Sequence, residues 1–170
     1  FRRVLFRSKK WIAIYTKSRH EKTTASALEE KGYAVYLPLI RQKRKWSDRT
    51  KWVDAPLFKS YMFVQCEIKQ GLFILQTPGV VSIVKFSGQI AVVPSETILS
   101  LRMMIEGGFI PEPIDYFIKG DLVEVKEGPM KGVTGEVIRV DKHDRLLLRI
   151  DAIQHSVSIQ INRGFLKTLK

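Results

Sequence analysis

At 170 residues and 45% hydrophobic content, the chain carries enough apolar material for one or two ordinary cores. Its 29 Lys and Arg against 17 Asp and Glu leave a net charge of +12, a surplus that favours polyanionic partners through phosphate contacts and counterion release. No uninterrupted apolar run approaches the roughly 20 residues that cross a bilayer, and the single Cys66 excludes an internal disulfide, so a cytoplasmic protein without a membrane span is expected.

Residues 1–8 hold three arginines, no Met, no long apolar core and no small-residue cleavage site, so they read as extraneous to the fold and not as a signal peptide. Lys10 to Thr16 reads as a strand with Trp11, Ala13 and Tyr15 on one side. Ser18-Arg-His-Glu21 has the form of a capping box, and the spacing predicts a helix from Arg19 to about Lys31 with Gly32 as its left-handed C-terminal cap. A strand over Tyr33 to Leu37 ends at Pro38. A strongly basic arm follows over Arg41 to Trp52, then a strand over Ser60 to Glu67 with two chemically distinct faces. A short helix around Ile68 to Gln76 precedes the Pro78-Gly79 turn. Val80 to Phe86 reads as a strand that Ser87-Gly88 turns into Ile90 to Val93, and Ser95 opens a helix through about Ile105.

Residues 107–117 hold Gly107-Gly108, Pro111 and Pro113, have no helical or strand period, and read as a linker between a domain over 9–106 and one over 118–170. Beyond it the pattern is wholly β, with Asp141-Lys-His-Asp144 as a hairpin turn and Cys66, far upstream, as a core thiol. Four or five short strands in about 50 residues favour a closed small barrel, because closure removes exposed edges. The expected fold class is therefore α+β, an antiparallel sheet flanked by helices followed by a small all-β domain. The basic surplus concentrates in the first part: residues 9–106 hold 16 basic and 8 acidic residues, residues 118–170 hold 10 and 7.

In Val123-Glu-Val-Lys-Glu-Gly-Pro-Met-Lys-Gly-Val-Thr-Gly-Glu-Val137, Val123, Val125, Val133 and Val137 can share a buried face while Gly128, Gly132 and Gly135 permit tight turns. This run resembles the KOW motif, an SH3-like module of ribosomal proteins and transcription elongation factors. Lys10-Trp11, Glu21-Lys22, Pro56-Leu-Phe-Lys-Ser-Tyr-Met-Phe-Val64, Thr77-Pro-Gly-Val80 and Val92-Val-Pro94 extend the resemblance to NusG-type transcription elongation and antitermination factors. The pattern is most like the operon-specific RfaH and UpxY branch, whose members serve capsular or exopolysaccharide loci.

The resemblance implies an NGN domain that docks on the clamp helices of RNA polymerase, with Tyr15, Tyr61 and Phe63 on the positions of the docking patch. A core role for the same rings is the competing reading. It places Lys17, Arg19, His20 and Lys22 beside the non-template DNA strand of the transcription bubble. Cations at a helix N-terminus gain nothing from the dipole, which also points to an external anion. The arm carries Arg41, Lys43, Arg44, Lys45, Arg49 and Lys51 with Trp46 and Trp52, a composition suited to nucleic acid, or else to a solvated charged face. The Gly128, Pro129, Met130, Lys131, Gly132 turn stands where KOW modules meet partners, which by resemblance include ribosomal protein S10 or Rho. Where RfaH carries a His-Thr-Thr element for the polymerase gate loop, this chain reads Gln70-Gly71-Leu72, a departure that leaves that contact unsupported. In RfaH the last domain can refold into helices. Here the β-branched residues of Val123 to Val140 and Ser156 to Ile161 favour strands, so no stable all-helical form is expected.

His20, His143 and His155 lie far apart with no cysteine pair, glycine-rich phosphate loops are missing, and nothing beside Cys66 would activate it as a nucleophile. No enzyme, metal or cofactor is expected, and a monomer is. The competing function is a ribosome-associated KOW protein that binds structured RNA.

Overall fold

A computed structural model of the chain describes residues 8–169; the reading of residues 1–8 as extraneous falls, Ser8 apart, outside them. In chain order the elements are β1 (Lys10–Thr16), α1 (Glu21–Glu30), β2 (Ala34–Tyr36), β3 (Leu39–Lys45), β4 (Thr50–Pro56), β5 (Tyr61–Cys66), α2 (Gly71–Leu75), β6 (Val80–Ile83), β7 (Lys85–Phe86), β8 (Gln89–Ile90) and β9 (Val92–Val93). They continue with α3 (Ser95–Glu106), β10 (Glu112–Ile114), β11 (Asp121–Val125), β12 (Thr134–Val140), β13 (His143–Ile150), β14 (His155–Gln160) and β15 (Leu166–Thr168). The architecture is mixed α+β with antiparallel sheets, and the described residues fall in two compact units: those up to residue 37 with 58–95, and 38–57 with those from residue 96 onward.

The first unit is built on the antiparallel order β2-β5-β1-β6, with β9 also paired to β1. Strand alternation sends Ile12, Ile14, Met62, Val64 and Cys66 to one face, where they pack with Ala25 and Leu28 of α1 and Ile74 of α2. Burying each of these large side chains is worth about 1.5–3 kcal/mol, which makes this face the main stabilising layer of the unit. Cys66 belongs to that core as expected, and its burial, reinforced by Glu67, pushes the thiol pKa up. The helix α1 stops at a left-handed Gly32 with φ +88°, whose N–H is donated to the Glu29 carbonyl at 2.8 Å. Its start differs from the expected capping box. The N-cap is His20, with no side-chain cap bond, and Glu21 instead accepts the Ser60 N–H. The single strand expected over Val80 to Phe86 breaks at Val84 into β6 and β7. Ser87 and Gly88, both at positive φ, then close the β7–β8 hairpin.

In the second unit, β3 and β4 form a two-stranded antiparallel ribbon where the sequence suggested only a basic arm. The β-rich remainder is a six-stranded antiparallel sheet in the order β10-β14-β13-β12-β11-β15. The stretch expected to be a periodless linker supplies one of these strands, β10, which pairs with β14 from Glu112↔Ser158 to Ile114↔Ser156. A complete closure was expected, yet among the described residues β10 and β15 end the sheet without pairing to each other. Both edges are blunted: each is three residues long, and β10 contains Pro113. Of the four valines expected on one buried face, Val123, Val125 and Val133 are buried and Val137 is half-buried; Leu146, Leu148, Ile150, Val157 and Ile159 are buried with them.

Candidate functional site

Tyr15 at the end of β1 and Tyr61 at the start of β5 are direct cross-strand partners. Their rings meet edge to face, with centroids 5.2 Å apart and planes at 67°, and Tyr15 remains 40% exposed while Tyr61 is half-buried. Phe63 shares their side of the sheet by alternation, but it is 0% exposed, sealed between Phe58 in edge contact and Tyr36 in a stacked one. Phe63 therefore belongs to the core and presents no surface to a partner, which corrects its place in the expected patch. Of the three expected residues, the tyrosine pair is the part that reaches the surface.

Backbone bonds fix the pair in place. Ser60, immediately before Tyr61, sits at φ +63°, donates its N–H to Glu21 Oε1 at 3.0 Å, and accepts from the Thr16 N–H at 2.8 Å. Glu21, only 7% exposed, thus ties the first turn of α1 to the start of β5, where the helix dipole also favours its charge.

Lys17, Arg19, His20 and Lys22 are all exposed around the same turn, with Arg19 at φ +65° and His20 Nδ1 within 3.0 Å of the Ser18 carbonyl. Lys17 donates its N–H to the Gly79 carbonyl, so the Thr77-Pro-Gly turn meets this end as well. The structure adds exposed Lys59, which the bond between Ser60 and Glu21 brings to the first turn of α1. Sequence reasoning missed it because it lies some forty positions from the cluster.

The ribbon holds the other cations. Its register pairs Arg41↔Asp54, Gln42↔Val53, Lys43↔Trp52, Arg44↔Lys51 and Lys45↔Thr50. Arg41, Lys43 and Lys45 therefore share one face with Trp52, and Gln42 and Arg44 share the other with Lys51 and Val53. The Arg41 guanidinium carbon and Lys43 Nζ stand 5.7 Å and 5.0 Å from the Trp52 ring centroid. Trp46 and Trp52 are 57% and 54% exposed, so neither indole folds back into a core.

On the six-stranded sheet, Gly128 and Gly132 take φ +83° and +88° to form the turn, with Pro129 and Lys131 exposed. Met130 is 1% exposed and fills the core beneath it, so its side chain is no part of a partner surface. Sequence reasoning missed the Arg149 hub on the same sheet. Its guanidinium donates to Glu136 and to the carbonyls of Tyr116 and Ile118, and Glu136 also accepts from the Gly120 N–H at 2.7 Å. The hydrogen bond from Arg149 holds the Glu136 carboxyl below the usual carboxylate range. Among the described residues no three His, Cys, Asp or Glu side chains group as metal ligands, and no helix is long and apolar enough to cross a membrane.

A sheet-and-helix unit with paired tyrosines, one exposed and one half-buried, and a β-rich region with a Gly-Pro-Met-Lys-Gly turn have the form of an NGN-plus-KOW protein. The family model for NusG, described as transcription termination factor nusG, matches residues 9–102, and that for the KOW motif matches residues 119–150. The chain belongs to the NusG family. It is 38% identical over 105 residues to transcription elongation factor Spt5 of Methanocaldococcus jannaschii, a match that spans 61% of this chain and 64% of that one. Its fold is similar to that of Thermotoga maritima NusG, with a TM-score of 0.56 at 18% identity over 95% of this chain and 98% of that one. Spt5 in the MjSpt4:Spt5 complex aligns at 25% identity over 94% of this chain and 98% of that one, with a TM-score of 0.31.

Proposed function

We propose that the chain is an operon-specific elongation factor of the RfaH/UpxY type that docks on the clamp helices of RNA polymerase through Tyr15 and Tyr61 and suppresses pausing or termination. The observation that carries this reading is the tyrosine pair, exposed on one side and locked on the other by the Glu21–Ser60 bond. Rigid aromatic side chains lose little entropy on docking and dominate protein interfaces. The effect on transcription follows from differential affinity: a factor that binds the closed clamp more tightly than the open, paused one shifts the balance toward the closed state. Lys17, Arg19, His20, Lys22 and Lys59 lie beside the pair as contacts for the non-template strand. Pro129 and Lys131 are the exposed side chains by which the KOW turn meets S10 or Rho.

The test is a pull-down and pause assay with a Tyr15→Ala, Tyr61→Ala variant. It is expected to keep its circular dichroism spectrum, to lose at least tenfold in polymerase affinity, a loss of about 1.4 kcal/mol or more, and to lose its effect on pausing. Undiminished polymerase binding by the folded variant refutes the docking role.

A further inference from the structure

The ribbon of β3 and β4 is charged on both faces, and that arrangement specifies its ligand more closely than its composition does. On one face Lys43 and Lys45 stand with Trp52; on the other, Arg44 and Lys51 are directly opposed across the strands. Beyond Lys45 the chain continues into Trp46, whose N–H is donated to the Arg49 carbonyl across the turn. Each face of the ribbon thus carries cations. The acids of the ribbon lie at its ends: Asp54 opposite Arg41 at the base, and Asp48 at the tip, 4.0 Å from Arg49. Among the described residues no carboxylate stands at ion-pair distance from Lys43, Arg44, Lys45 or Lys51.

Like charges set directly opposite on a strand pair weaken it, so the Arg44↔Lys51 pair is a cost to the isolated ribbon. An anion alongside removes that cost. A single strand laid along one face reaches only half the cations, because the two faces point in opposite directions. A ligand that places phosphates on both sides at once is the groove of a double helix. Two seven-residue strands at about 3.3 Å per residue reach roughly 23 Å, and the B-form major groove, about 12 Å wide, admits a two-stranded ribbon. The major groove of A-form RNA is too narrow for side chains to enter.

We infer that the ribbon inserts into the major groove of B-form duplex DNA, with Lys43 and Lys45 toward phosphates on one side and Arg44 and Lys51 toward those on the other. This rests on reading the ribbon as a nucleic-acid surface and adds which nucleic acid and which geometry. Contacts of this kind go to the backbone and carry little sequence preference.

The experiment titrates the full chain against labelled DNA duplex of about two helical turns, roughly 20 base pairs, the corresponding single strand and the corresponding RNA duplex, over a range of salt. Three proteins are compared: the parent, Lys43→Ala with Lys45→Ala, and Arg44→Ala with Lys51→Ala. All four substituted side chains are exposed, and circular dichroism confirms that the variants are folded. The expected result is tightest binding to DNA duplex and, for each double variant, a slope of log affinity against log salt shallower by about 1.8, two phosphates at about 0.9 each. If one face alone matters, or the single strand or RNA duplex binds as tightly, groove insertion is overturned while the nucleic-acid reading stands. If neither double variant changes binding to any of the three, both readings fall.

Discussion

Gly79 holds φ at +92°, and a Cβ on it would stand 2.0 Å from Thr24 Oγ1. Thr24 is itself 0% exposed and β-branched, so it has no room to swing aside. Gly79→Ala should therefore destabilise the protein by on the order of 2 kcal/mol, read as a lower urea midpoint at unchanged m-value. Phe63, two residues from Tyr61, separates packing from docking: Phe63→Ala should cost about 3–5 kcal/mol of stability, whereas Tyr61→Ala should cost far less and act on polymerase binding. Glu136 gives a pH test. Its folded pKa lies below the unfolded value of about 4.3, so the stability it contributes is complete above that value and disappears as pH falls through the folded pKa. Between about pH 5 and 3 the parent should lose more stability than Glu136→Gln, which has no carboxyl to protonate. Equal losses would show that the Arg149 bond contributes nothing measurable.

At the scale of elements, the ribbon trades stability for charge. Arg44→Glu turns the like-charged Arg44↔Lys51 pair into an opposite-charged one, and should raise stability by roughly 0.5 kcal/mol while weakening DNA binding. A urea midpoint that falls, or DNA binding that does not, counts against the ribbon's charge being functional. The same element shows what a sequence reading can reach. Strands β1 and β5 are short apolar runs buried on both faces and β11 buries Val123 and Val125 on one, and all three were legible. In β3 and β4 nearly every residue from 41 to 52 is exposed, so no apolar period marks them, and cross-strand pairing alone makes them strands. β10 escaped notice because three residues containing Pro113 carry no pattern. The Ser18–Glu21 capping box fitted local rules, but Glu21 found a better partner in the Ser60 amide, nearly forty residues away. Alternation placed Phe63 beside Tyr15 and Tyr61. It could not say which part of that face would be covered, since covering is a tertiary event.

For the whole molecule, the net charge of +12 and the tyrosine pair imply two kinds of binding energy that respond differently to salt. Contacts made by desolvating rings lose little when ionic strength rises, because no counterions are exchanged. Contacts made by cations to phosphates weaken steeply: with four phosphates neutralised, a fourfold rise in salt lowers affinity by about 100-fold. Two independent kinds of contact require that substitutions in the tyrosine pair and in the ribbon add to within about 0.5 kcal/mol. The check is to measure affinity for polymerase without nucleic acid, and for polymerase on a DNA template, at about 50 and 200 mM salt. Affinity for the bare enzyme should change only a few-fold and depend on Tyr15 and Tyr61. The added affinity on template should vanish with salt and depend on the ribbon. Were binding to the bare enzyme to collapse over the same interval, the docking surface would be electrostatic, and the tyrosines would be bystanders to the cations around Lys17 and Lys59.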